Sequence, residues 1–120
     1  MLTIQNLTIL IRYNTDFISI DEEPLKVAFL YQHNISDFGW TYSHDQGRLK
    51  MHERLDRDYQ ILSEYVEIAP TDARLDDCLA VVDSFVDRQF QMVIYCSSTF
   101  NKCAVEAAKK HTGIKHLSVS

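Results

Sequence analysis

The sequence predicts an α/β domain built on a four-stranded parallel sheet, and three observations carry that prediction. Two short, continuous apolar runs, "LKVAFLY" (25–31) and "QMVIYCS" (91–97), have strand length and the look of strands buried on both faces. Between them, Leu75, Cys78, Leu79, Val82 and Val86 fall at i, i+3, i+4, i+7 and i+11, the stripe of an amphipathic helix. Strand and helix then alternate from Pro24 onward, a rhythm that joins parallel strands through right-handed helical crossovers.

Each element has its own signal. After "LKVAFLY" comes a loop, "QHNISDFGWTYS" (32–43), and then a helix over Thr41–Asp58 with Leu49, His52 and Leu55 at helical spacing. "QILSEYVEIA" (60–69) sets Ile61, Ser63 and Tyr65 against Leu62, Glu64 and Val66, a strand nearer an edge. Thr71 and Asp72 offer capping oxygens to the amphipathic helix that follows. "QMVIYCS" opens into "STFN" (98–101), and Asn101–His111 reads as an alanine-rich helix ended by Gly113 in the left-handed position. "IKHLSVS" (114–120) is the last strand. The α/β lobe is thus residues 24–120. Residues 1–23 are an extension in which "LTILIRY" and "DFISI" either pair as a hairpin about Asn14-Thr15 or stay loose.

Composition narrows the function. A chain of 120 residues with 46% apolar and 11% aromatic content makes one domain with a real core. Its formal charge of −5 repels phosphate backbones, so a nucleic-acid partner is not expected. Cys78, Cys96 and Cys103 are odd in number and lack C-x-x-C spacing, so they read as buried thiols that demand no oxidising compartment. The opening "MLTIQNLTILIRYNTDFISI" lacks a basic start and a cleavage or lipidation site, and is too polar to span a bilayer, so no export signal is expected. Asn6-Leu7-Thr8 and Asn34-Ile35-Ser36 match the glycosylation pattern, a triplet common by chance.

With strand order 2-1-3-4, the order reverses between the first and third strands, where open parallel sheets bind ligands beyond the carboxyl ends. The loops leaving those strands are "QHNISDFGWTYS" and "SSTFN" (97–101). Trp40 offers a flat face for stacking, and Asp37 can accept hydrogen bonds from ring or amine N–H groups. The plainer alternative is that Trp40 caps the sheet edge and Asp37 caps the helix. Phe38 is ambiguous between core and mouth, while Tyr42 and His44 fall at the rim. No phosphate-binding glycine pattern and no nucleophile elbow is present. His44 and His52 lie eight residues apart, roughly 12 Å along a helix, too far to share a metal. The chain carries no catalytic signature, and no cofactor is expected.

The segments "KVAFLYQHNISDFGWTYSHDQGRLKMHERL" and "YVEIAPTDARLDDCLAVVDSFVDRQFQMVIYCSSTFNKCAVEAAKKH", with "IKHLSVS", resemble the basic membrane protein family. These are purine-nucleoside receptor lipoproteins of ABC importers. The likeness covers residues 25–120 and is most specific in "SDFGWTYSHDQGR". It implies a periplasmic-binding-protein fold of type I with flavodoxin-like order, here a single lobe whose mouth stacks a purine nucleoside. By position it implies ligand-facing roles for Asp37, Phe38, Trp40 and Thr41 on one loop and for Phe100 and Asn101 on the other. An acid that family members carry just after the second loop is Lys102 here. The resemblance also implies an ABC permease as partner and a place in the cell envelope, whereas the chain's own start leaves the cytoplasm open.

Members of that family are longer and have a second lobe. The chain is therefore expected to be one lobe: a truncated product, a fragment, or a half-receptor that forms a homodimer. An interaction module docking a partner through the face a second lobe would cover is the alternative. A receiver-type phosphoacceptor is disfavoured, because "AFLYQHN" ends in no paired acids.

Overall fold

The first strand, β1 (Leu25–Tyr31), is the axis of the molecule because it is apolar on both sides. Val27, Phe29 and Tyr31 share one face, Ala28 and Leu30 the other, and all five are at most 6% exposed. A computed structural model of the chain describes residues 23–69 and 74–120. The proposed hairpin about Asn14-Thr15 and the capping residues Thr71 and Asp72 lie outside these residues.

β2 (Ile61–Glu67) pairs with β1 in parallel from Leu25↔Ile61 to Tyr31↔Glu67. On the other side β3 (Met92–Tyr95) pairs with β1, and β4 (Lys115–Ser118) with β3, both parallel. The order is β2-β1-β3-β4, as the sequence predicts. Helix α1 (Trp40–Leu55) follows β1, α2 (Leu75–Asp87) follows β2, and α3 (Asn101–Lys110) follows β3. Ala28, Leu30, Val93 and Tyr95 pack with Cys78, Val82 and Phe85 of α2 and Cys103, Ala104 and Ala107 of α3. Val27, Phe29 and Tyr31 pack with Met51 of α1 and Tyr65 of β2. Helices therefore lie on both faces of the sheet, giving three layers.

Four expectations need correcting. Helix α1 stops at Leu55 rather than Asp58, and the amides of Asp58 and Tyr59 both turn back to the Leu55 carbonyl. Its sheet-facing side is largely polar, with Thr41 and Asp45 buried beside the apolar Met51, while Leu49 is 47% and Leu55 38% exposed. Gly113 does not adopt a left-handed conformation. The left-handed residue is Gln89, at φ 70°, just past α2. There the Phe90 N–H bonds the Phe85 carbonyl and the Gln89 N–H bonds the Val86 carbonyl, a Schellman closure with the two phenyl rings 4.8 Å apart edge to face.

The fourth correction concerns the cysteines. Cys78 of α2 and Cys103 of α3 are joined in a disulfide, and Cys96 alone is a free, buried thiol. The bridge spans 25 residues of sequence. In the chain-entropy account, closing a loop of that size restricts the unfolded state by about 3–4 kcal/mol. Among the described residues, no helix is long and apolar enough to cross a membrane.

Candidate functional site

The reversal of strand order falls between β1 and β3, and the loops leaving these strands meet there. Gln32 and Ser97 are the first and second residues past the two strands. Gln32 Oε1 accepts from Ser97 Oγ at 2.5 Å and from Thr99 Oγ1 at 3.1 Å. Ser97 Oγ in turn accepts the Thr99 amide, which sets up the single turn Ser98–Phe100. The two loops thus form lips tied at their base.

The first lip is built by carboxylates. Asp37 Oδ1 accepts the amides of Gly39 (2.8 Å) and Tyr42 (2.9 Å), and Oδ2 that of Thr41 (3.3 Å). These donors belong to the opening of α1, where helical amides lack partners. Those backbone donors hold the Asp37 carboxyl below its usual range. Glu67, at the end of β2, accepts from the Ile35 amide at 2.7 Å and from Asn34 Nδ2 at 3.3 Å, anchoring the lip from outside.

Trp40 begins α1 and reaches across to the other lip, where its indole Nε1 donates to the Cys96 carbonyl at 2.6 Å. The ring stays 42% exposed and tilts against His44 with centroids 4.5 Å apart. Partial burial there lowers the His44 pKa. Phe38, with φ 54°, projects into solvent at 83% exposure beside the Tyr42 ring. A bulky residue seldom holds that backbone conformation, which costs on the order of 1–2 kcal/mol.

Of the six residues the sequence singled out, four are exposed around the mouth and two are not. Asp37, Phe38, Trp40 and Asn101 reach the surface. Asn101 Oδ1 accepts from Ser118 Oγ at 2.7 Å, linking the second lip to β4. Thr41 is fully buried, and its hydroxyl accepts the His33 amide at 3.2 Å. Phe100 is 1% exposed in the core shared with α2 and α3. Both side chains turn inward and support the lips from beneath, Thr41 from the second position of α1 and Phe100 from the end of the turn Ser98–Phe100. Gln32 and Ser97 carry no individual signal in the sequence, whereas His44, expected at the rim, lies against the Trp40 ring. Gln32 and Ser97 are marked only by their position immediately past the strands that flank the switch.

Beneath the first lip lies a buried polar chain. Tyr31 Oη donates to Asp45 Oδ1 at 3.0 Å, and Arg48 Nε donates to the same oxygen at 2.8 Å. Arg48 also donates to Ser63 Oγ at 3.1 Å, and His52 Nε2 meets that hydroxyl at 2.6 Å. Burial, then Asp45, pushes the Tyr31 phenol far up. Burial opposes the Arg48 charge, but the hydrogen bond and charge of Asp45 outweigh it and its pKa rises. Every described buried side-chain polar atom has a partner. The chain therefore reads as a clamp orienting α1, and so Trp40, against β1 and β2. Among the described residues no group of three His, Cys, Asp or Glu side chains is placed to hold a metal.

Two grooves flank this arrangement. One of about 450 Å³ runs between α3 and β4 past Asn101, Val105 and Ser118, adjoining the mouth. Another, of about 440 Å³, lies at the opposite, amino end of the strands between Leu25, Leu55, Tyr59 and Ile61. The second is remote from the lips and has none of their polar groups.

Two solved structures share this architecture: ABC-transporter solute-binding proteins from Conexibacter woesei (TM-score 0.64, 13% identity) and Aeropyrum pernix (TM-score 0.61, 14% identity). They cover 77% and 79% of this chain, respectively. The fold is that of a solute-binding-protein lobe. The chain spans 28% and 24% of the length of those two proteins. A purine-binding protein of Brucella abortus (strain 2308) is 56% identical over 34 residues, 28% of this chain and 10% of that protein. No protein-family model matches the chain.

Proposed function

We propose that this lobe is a non-catalytic part of a receptor for an ABC importer and supplies one wall of a site for a flat, ring-bearing solute of the purine nucleoside class. The observation that carries the reading is Trp40. Its ring is half exposed at the carboxyl ends of the strands, and its only polar atom is already bonded to the Cys96 carbonyl. What remains for a ligand is the π-face, which recognises an aromatic ring and is indifferent to hydrogen-bond pattern. Phe38 lines the outer rim, and Asn101 offers an amide from the second lip. Asp37 acts by shaping the first lip. The short match to a purine-binding protein supports the solute class, and the likeness to solute-binding proteins supports binding with an ABC permease as partner at the outer face of a membrane.

One stacking wall and a few polar contacts correspond to about −4 kcal/mol, a Kd of about 1 mM. Calorimetric titration with adenosine, guanosine and inosine tests the reading. Saturable binding of that order with at least one nucleoside is expected, and no heat up to tens of millimolar contradicts it. A second reading, self-association, is favoured by Leu117 (51% exposed) on the edge strand β4 and Val105 (54%) on the neighbouring α3, and predicts a dimer mass in sedimentation.

A further inference from the structure

We infer that the Cys78–Cys103 disulfide is a positioning device for the second lip, so that assembly of the mouth is coupled to oxidation of these two thiols. Cys103 is the third residue of α3, two past Asn101 and three past Phe100. The bridge therefore fastens the root of the lip Ser97–Asn101 directly to α2. What that lip holds is the rest of the mouth: the Cys96 carbonyl under the Trp40 indole, and the Ser97 and Thr99 hydroxyls on Gln32.

A cavity of about 150 Å³ lies beside the bridge, lined by Leu75, Cys78, Thr99, Phe100, Lys102 and Cys103. It gives the first turn of α3 room to shift once the bond is broken, and the lip would shift with it. The third thiol does not compete for pairing. Cys96 is buried among Val27, Phe29 and Tyr31, whereas Cys78 and Cys103 lie in the core on the other side of the sheet, and burial pushes the Cys96 pKa up to about 12. Only the thiolate exchanges, so Cys96 stays inert.

In forming the bond, the two thiols lose two protons and two electrons to the disulfide of a thiol–disulfide oxidoreductase, which leaves as a dithiol. Reduction by a dithiol such as dithiothreitol runs the same exchange backwards. Both sulfurs are buried, so exchange requires a local opening of α2 against α3.

The inference rests on reading Ser97–Asn101 as a lip of the ligand mouth, but its test needs no ligand and stands apart from the nucleoside titration. Protein purified without reductant is unfolded and alkylated, and one labelled cysteine is expected, against three after reduction. Hydrogen exchange is then compared between the bridged protein, the reduced and alkylated protein, and the Cys78→Ala/Cys103→Ala double variant. The amides of Thr99 and Phe100, now bonded to Ser97, should exchange at least tenfold faster without the bridge, with a shift in Trp40 emission. Amides of β1 and β2 that exchange through global unfolding should rise only by the common factor the lost cross-link imposes, and the lip is scored against them. Three labelled cysteines in the unreduced protein would overturn the inference. So would unchanged exchange at the lip, a uniform rise across the domain, or loss of the folded circular-dichroism signal, each of which removes any selective role in placing the lip.

Discussion

The side chains of Gln32 and Ser97 meet at 2.5 Å just past the ends of β1 and β3, closing the base of the mouth where the strand order reverses. This contact ties two loops that are 65 residues apart in sequence. Gln32→Ala leaves the Ser97 and Thr99 hydroxyls without their shared acceptor. It should cost about 1–2 kcal/mol in urea denaturation, the range for a part-buried polar group losing its partner. Gln32→Glu, which retains an acceptor, should recover most of that loss.

The clamp around Asp45 is a stronger test of how α1 is oriented. Asp45 is 5% exposed and accepts from both Tyr31 and Arg48. Asp45→Ala strands the Arg48 guanidinium in a part-buried place and should cost about 3 kcal/mol or more. The same denaturation measurement checks it, and Leu49→Ala, on the exposed side of the helix, should stay within about 0.5–1 kcal/mol.

Gln89 and Gly113 make opposite predictions from the same rule. Gln89 holds φ 70° at the end of α2, so Gln89→Gly should raise stability by up to about 1 kcal/mol. Gly113 has no positive φ, and a Cβ there meets nothing within 4 Å, so Gly113→Ala should be neutral or slightly stabilising. Thermal unfolding of the two variants settles both.

The pH dependence follows from His44. Its folded pKa lies below the unfolded value of 6.5 because burial disfavours the cation. The unfolded chain therefore binds the proton first. Stability is at its full value above pH 6.5 and falls as pH drops below it. The melting temperature should hold from pH 8 to about 6.5 and decline by pH 5.5, and His44→Gln should flatten that decline. Below this window the carboxyl of Asp37 and that of Asp83 on α2, held low by its hydrogen bonds from Lys110 and with His111, add a further loss as they take up protons.

The sheet was legible in the sequence because β1 and β3 are short apolar runs and the helical stripe of α2 is unbroken. The mouth was legible as a place, since topology alone puts the loops after β1 and β3 together. The roles of single residues were less so. Helix α1 faces the sheet with Thr41, Asp45 and Arg48, and a polar face satisfied by hydrogen bonds has no apolar period to read. The family resemblance implies ligand-facing places for Thr41 and Phe100 by position, yet both side chains turn inward. The disulfide depends on α2 and α3 lying side by side, which no spacing within one helix reveals. Gln89 takes a left-handed position that propensity gives to glycine, held there by the Phe85–Phe90 contact.

Fluorescence titration tests Trp40 as a stacking wall, because Trp40 is the only tryptophan in the chain. The measurement is quenching of its emission by adenosine, guanosine and inosine, with ribose as control and Trp40→Phe as the variant for calorimetry. Saturable quenching by a nucleoside and none by ribose is expected, with binding kept in Trp40→Phe and lost in Trp40→Ala while the fold survives. Nucleoside binding that leaves Trp40 emission unchanged, or a Trp40→Ala chain that binds normally or fails to fold, would contradict the stacking role.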